Sequence, residues 1–177
     1  VRFIPTPLRG AWIIDSNTID DNRGFFARTF CWHEFENQGL RFEIKQCSIS
    51  HNIHRGTLRG MHYQRHPFAE AKLVRCISGM IYDVFIDLRP DSDTFCGWFA
   101  VELKANDSPP KALYIPEGFA HGFQALEDNT TVFYEIFEFF HPEAAMGIRW
   151  NDPEFAIPWP ISNPIISEKD RSYPDYK

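Results

Sequence analysis

The stretch Lys72-Leu73-Val74-Arg75-Cys76-Ile77-Ser78-Gly79-Met80-Ile81-Tyr82-Asp83-Val84-Phe85-Ile86-Asp87-Leu88 decides the fold class. Lys72–Ile77 and Met80–Leu88 are short runs dense in β-branched and aromatic side chains, which suit a pleated, half-buried surface better than a helix. Ser78-Gly79 separates them and predicts a hairpin turn joining two strands. Working outward, the same pattern repeats. Trp12–Asp15 is a strand candidate behind prolines 5 and 7, and the turn Asp21-Asn22-Arg23-Gly24 leads into β-forming Phe25–Phe30. Phe42–Ser50 alternates in the strand period, and Phe95–Leu103, Ala112–Ile115, His121–Leu126 and Thr130–Phe140 follow between turn signals. Strands recurring about every ten residues predict a β-sandwich or barrel. Trp32–Gln38 is the exception, a short helix stopped by Gly39. From His141 the chain carries six prolines and two tryptophans, which predicts an ordered, proline-braced wrap with short helices at most.

At 177 residues the chain is one domain with a substantial core, its barrel spanning about 42–140. A hydrophobic fraction of 44% and a charged fraction of 24% exclude disorder. Net charge of −6 argues against nucleic acid, which needs a basic face. Aromatics reach 16%, which fits a β-rich core, a dimer interface, or a surface on which a ring-containing ligand stacks. Cys31, Cys47, Cys76 and Cys96 stand apart with no C-x-x-C pair, so they read as small apolar fillers in a reducing compartment. No apolar run approaches the roughly 20 residues of a membrane span, and the N-terminus lacks a basic-then-apolar signal. The expectation is a cytoplasmic protein that binds no membrane.

Two Gly/His turns carry the chemistry. Gly56-Thr57-Leu58-Arg59-Gly60-Met61-His62-Tyr63-Gln64 is one, and Pro116-Glu117-Gly118-Phe119-Ala120-His121-Gly122-Phe123 the other. The second resembles half of the metal-binding signature of the cupin superfamily, β-barrels of the jelly-roll type. The first has its Gly56/His62 spacing but places Gln64 where a second histidine would stand, with Glu70 following. An amide is a poor ligand for metals that favour imidazole, so no metal is expected. A barrel mouth with histidines suits acid–base work instead, since imidazole titrates near pH 6.5. Arg59 and Lys72 are cations in the same region, and Tyr134 is the candidate acid. Taken singly, each reads better as an ion-paired, solvated or barrel-lining residue, and the case rests on their co-occurrence.

These residues resemble the dTDP-4-dehydrorhamnose 3,5-epimerases, metal-free cupins. The resemblance runs nearly end to end, through Asp21-x-Arg23-Gly24-Phe25-Phe26, Leu58-Arg59-Gly60-x-His62-Tyr63-Gln64, Ala71-Lys72-Leu73-Val74-Arg75 and Tyr82-Asp83-Val84-x-x-Asp87-Leu88-Arg89. It continues through the Pro116–Phe123 motif, Gly147-Ile148-Arg149-Trp150-Asn151-Asp152-Pro153 and Ile166-Ser167-Glu168-Lys169-Asp170. It implies a mainly β jelly-roll barrel with an N-terminal strand extension and a short-helix, proline-rich C-terminal wrap. It implies epimerisation of a nucleoside-diphosphate 4-keto-6-deoxyhexose at C3, C5 or both, without a cofactor, serving deoxysugar and cell-surface polysaccharide synthesis. His62 would be the base, Asp170 its partner and Tyr134 the acid on the opposite face of the sugar. Arg23, Phe26, Arg28, Gln46, Ser48, Arg59, Lys72, His121 and Phe140 would bind substrate, the N-terminal strand reaching the partner's site in a homodimer.

The chain departs from the family pattern at Arg28, where Glu is usual, at Ser48 for Asn, and at Phe140 for Tyr. Arginine only donates hydrogen bonds, so it suits an acceptor-rich base edge or a pyrophosphate. Other readings of the same residues are an epimerase for a CDP-linked or other non-dTDP sugar, a ketoisomerase, a metal-dependent cupin oxygenase or isomerase, and a non-catalytic sugar-nucleotide-binding module.

Overall fold

The computed structural model describes residues 1–176. Its elements in chain order are β1 (Arg2–Pro5), β2 (Trp12–Asp15), β3 (Thr18–Asp21), β4 (Gly24–Ala27), α1 (Trp32–Asn37), β5 (Gln46–Asn52), β6 (Leu58–Gln64) and β7 (Lys72–Ser78). Then come β8 (Met80–Asp87), β9 (Trp98–Lys104), β10 (Lys111–Ile115), β11 (Phe119–Ala125), β12 (Thr130–Ile136), a 3₁₀ turn at Pro142–Ala144, β13 (Ala145–Gly147) and α2 (Glu168–Arg171). One sheet has the order β1-β2-β10-β7-β12-β5, the other β13-β6-β11-β8-β9, and β3-β4 forms a separate hairpin. This is the mainly β, jelly-roll arrangement expected, with β1, β2 and β13 joining the sheets from outside residues 42–140. No described helix is long and apolar enough to cross a membrane.

The expected hairpin at Ser78-Gly79 is wrong. β7 pairs with β10 and β12 while β8 pairs with β9 and β11, so the chain crosses from one sheet to the other at Gly79. Gly79 has φ +74, and a Cβ there would stand 2.3 Å from the Thr130 hydroxyl, so only glycine makes this corner. Several boundaries also move. β4 stops at Ala27, because the following chain turns toward α1, and β5 begins at Gln46. Phe42 and Ile44 instead pack on the cluster around Phe35. β9 begins at Trp98 after a turn at Thr94–Gly97, and β12 ends at Ile136, where Phe137 bonds Ala71.

Period-two alternation sorts the side chains into layers. Ile81 and Phe85 of β8, Val74 and Cys76 of β7, Phe119 and Phe123 of β11 and Val132 of β12 form the core between the sheets. The alternate residues Val84, Ile86 and Ala120 face outward, where Ile148, Phe155 and Ile157 of the proline-rich tail cover them. On the other sheet Leu73, Ile14 and Tyr114 are covered by α1 through Phe35. A six-residue helix has little stability of its own, so burial of Phe35, about 2–3 kcal/mol, holds it in place.

Candidate active site

Polar residues occupy one end of the face that is otherwise core. Lys72 shares the parity of Val74 on β7, Tyr134 that of Val132 on β12, Asp83 that of Ile81 and Phe85 on β8, and His121 that of Phe123 on β11. Lys72, Tyr134 and His121, together with β5 and β6, wall a cavity of about 690 Å³ whose lining includes Gln46, Ser48, Arg59, His62, Gln64 and Phe140. The sheets supply opposite walls, with His62 and His121 cross-strand neighbours on one. Tyr134, between Ser48 and Val74, stands on the other.

Asp170 is delivered from the far end of the chain. Ile165 pairs with Gly56 and Leu58, and the buried Gln124 amide both donates to the Ile161 carbonyl and accepts from its N–H, each at 2.9 Å. Ser167 then caps α2 by accepting from the Asp170 N–H at 3.1 Å. The Asp170 carboxylate meets His62 Nε2 at 2.7 Å and accepts from the Gly60 N–H at 3.3 Å. Burial pushes this carboxyl up, but the bonds from His62, Gly60 and Ser167 outweigh it and hold Asp170 below the usual carboxylate range. A carboxylate on Nε2 requires a proton there, which leaves Nδ1 as the basic nitrogen. Tyr173 packs edge-on to the His62 ring, at 6.1 Å between centroids.

A second His–Asp pair lies deeper, His121 Nε2 being 2.9 and 3.0 Å from the two oxygens of Asp83. Burial drives the Asp83 carboxyl up, against the pull of His121 and Lys72. Tyr134 stands edge-on to His121 at 6.2 Å. Burial, and then the charge of Asp83, raise its phenol well above the ordinary range, so it keeps its proton. Lys72 Nζ is paired with Glu70 at 2.7 Å, both largely buried, and so is not a solvated strand residue. Arg59 donates to Asn52 Oδ1 at 2.8 Å, a side-chain anchor in place of an ion pair. Such a chamber can take a proton at His62 and supply one from Tyr134, with cations beside a developing oxyanion.

His62, Asp170, Tyr134, Arg59, Lys72, His121, Gln46, Ser48 and Phe140 are thus brought together. Arg23, Phe26 and Arg28 are not. They sit on or beside the β3–β4 hairpin, exposed, and none lines the cavity of its own chain. Arg23 is engaged with Asp21. His62 and His121 each face a separate carboxylate and Glu70 faces Lys72. Among the described residues no three His, Cys, Asp or Glu are grouped to hold a metal. Cys76 is the only fully buried cysteine among the four, and Cys47 is exposed, so not all are core fillers. The sequence reading missed Asp83 and Asn52. Asp83 had left a signal, a charge in the inward parity of an otherwise apolar strand.

The family model described as dTDP-4-dehydrorhamnose 3,5-epimerase matches residues 5–177. The dTDP-4-dehydrorhamnose 3,5-epimerase of Methanothermobacter thermautotrophicus is 46% identical over 175 residues, 97% of this chain and 92% of the relative. The crystal structure of the same-named protein from Bacillus anthracis, with TDP and PPi bound, superposes with a TM-score of 0.94 at 38% identity, covering 99% of both chains. A Legionella pneumophila epimerase in complex with dTDP-4-keto-L-rhamnose superposes at 0.88 and 32% identity, covering 99% of this chain and 98% of that one.

Proposed function

The chain belongs to the dTDP-4-dehydrorhamnose 3,5-epimerase family, and from that premise we propose that it inverts a nucleoside-diphosphate 4-keto-6-deoxyhexose through an enolate. In a 4-keto sugar both C3 and C5 lie α to one carbonyl, so one cationic cluster serves either carbanion. His62, with Nε2 tied to Asp170, takes the proton at Nδ1. Lys72, Arg59 and His121 stabilise charge on the C4 oxygen, and Tyr134 returns a proton on the other face. The observation that carries this reading is the facing of His62 and a protonated Tyr134 from opposite sheets of one cavity. Incubation with a dTDP-linked 4-keto-6-deoxyhexose in D2O, read by NMR, tests it. Deuterium at C3 or C5 with inversion is expected, and its absence would remove the proposal.

The relatives' names support dTDP as the carrier. Arg28 is the position at which base recognition can differ, and competition between dTDP, CDP and GDP tests this. A homodimer is part of the reading. Ile19 and Phe26 are cross-strand partners on the hairpin, 72% and 69% exposed, and two strands alone are marginally stable. Laid on a second copy, the hairpin would cover them and bring Arg23, Phe26 and Arg28 to the partner's cavity. Sedimentation of a Phe26→Asp variant would show dissociation. A cytoplasmic location and a role in cell-surface polysaccharide synthesis complete the proposal.

A further inference from the structure

Gln64 stands two residues beyond His62 on β6 and is 3% exposed. Its amide is fully engaged. Nε2 donates to the Phe68 carbonyl at 2.9 Å and to the Phe139 carbonyl at 3.0 Å, while Oε1 accepts from the His141 N–H at 2.6 Å. Both donors are used, so no N–H is left for a ligand. One partner lies in the 65–70 loop that carries Glu70, the counter-ion of Lys72. The other two flank Phe140, on the strap that follows β12. The two segments also meet directly, the His141 ring stacking on Phe68 at 3.7 Å. Phe140 is further fixed by its N–H donating to Gln46 Oε1 at 2.7 Å, yet its side chain is 60% exposed at the cavity wall. With so much of its ring uncovered, Phe140 has little packing to hold it, and backbone bonds on either side set its position.

We propose that Gln64 is a positioning residue that fixes Phe140 against the sugar-nucleotide substrate by clamping the 137–141 strap to the 65–70 loop. This rests on the substrate class proposed above. At a position from which a side chain could point into the chamber, the amide instead determines the shape of its mouth.

The test uses Gln64→Met, which keeps the length and removes all three bonds, and Gln64→Glu, which keeps the acceptor. The introduced carboxyl donates one hydrogen bond, and only when protonated; burial and the two facing carbonyls favour its neutral form, so Gln64→Glu should recover part of the wild-type affinity as pH falls toward about 5.5 and lose it at about pH 8. KM for the 4-keto sugar nucleotide should rise about tenfold in Gln64→Met, with kcat changed less than about threefold, because the three lost hydrogen bonds act on the substrate only through Phe140. Combining either change with Phe140→Ala should add nothing to the KM of Phe140→Ala alone. Additive effects, a loss confined to kcat, or a constant ratio of Gln64→Glu to wild type across pH would overturn the assignment. Should Gln64→Met not fold, Gln64→Glu and its double variant with Phe140→Ala separate the same outcomes. Failure of the enzyme to turn over any 4-keto sugar would sink the proposed function, whereas normal turnover with unchanged KM in the variants would sink only the clamp.

Discussion

Two histidines line one cavity, each backed by an aspartate, and the two pairs differ in how they are enclosed. His62 is 44% exposed at its side chain against a largely buried Asp170, and the pair joins residues 108 apart in the chain. His121 and Asp83 are 4% and 0% exposed and come from adjacent strands of one sheet. The environments act in opposite directions, hydrogen bonds lowering Asp170 while burial raises Asp83. An open imidazole backed by a firm anion can take up and release a proton. A sealed pair is better suited to hold charge and geometry still beside the reacting oxygen. On the proposed mechanism the same two residue types would serve different purposes, with solvent access deciding which.

The difference can be broken first at the open pair. His62→Ala should reduce exchange at both C3 and C5 by about a thousandfold, since general-base catalysis is worth about 10²–10⁴. Retained exchange, read by NMR in D2O, would remove His62 as base. At the sealed pair the loss should fall on stability. Asp83→Asn leaves a buried histidine without its anion and should cost about 3 kcal/mol in denaturant unfolding. Asp170→Asn should lower kcat about a hundredfold by releasing the tautomer and orientation of His62, with unfolding changed by less than about 1 kcal/mol. If these two variants exchange their phenotypes, the contrast is wrong. Tyr134→Phe should leave proton abstraction within about threefold while slowing inversion by more, measured as wash-in of deuterium against product configuration.

A third carboxylate sharpens the comparison. Asp87 lies on β8 with Asp83 and is equally unexposed, but Arg89, Ser92 and Thr94 donate to it, and against its burial they bring it down to about 2. Its folded value lies below an unfolded value of about 3.9, so its stabilisation, roughly 2 kcal/mol, is complete above about pH 5 and is lost as pH falls toward 2. Acid unfolding should lose that increment in Asp87→Asn.

What could be read from the sequence followed the range of the interactions. Period-two runs exposed the strands and the turn glycines marked the corners, and His62, His121, Lys72 and Tyr134 stood out by residue type beside them. Local rules, however, do not state which sheet receives a strand, so Ser78-Gly79 read as a hairpin when it is a crossing between sheets. Asp170 was reachable only through the family resemblance, because nothing near position 62 announces a partner 108 residues away. Gln64 was noticed as an unsuitable metal ligand. Its clamp could not be seen, since two of its partners are backbone groups more than seventy residues downstream.

The wrap from His141 onward has a consequence for how the protein can be inactivated. The barrel strands pair into two facing sheets, whereas the carboxylate bonded to His62 arrives on the four-residue helix α2. A protease that nicked the segment between Trp159 and Ser167 would leave the strand-borne walls of the chamber, the sealed pair and most of the core standing, while freeing Lys169 and Tyr173 along with Asp170. It would yield particles that look folded by circular dichroism and still hold nucleotide, yet turn over almost nothing. Specific activity would then report the integrity of the tail rather than the amount of folded barrel.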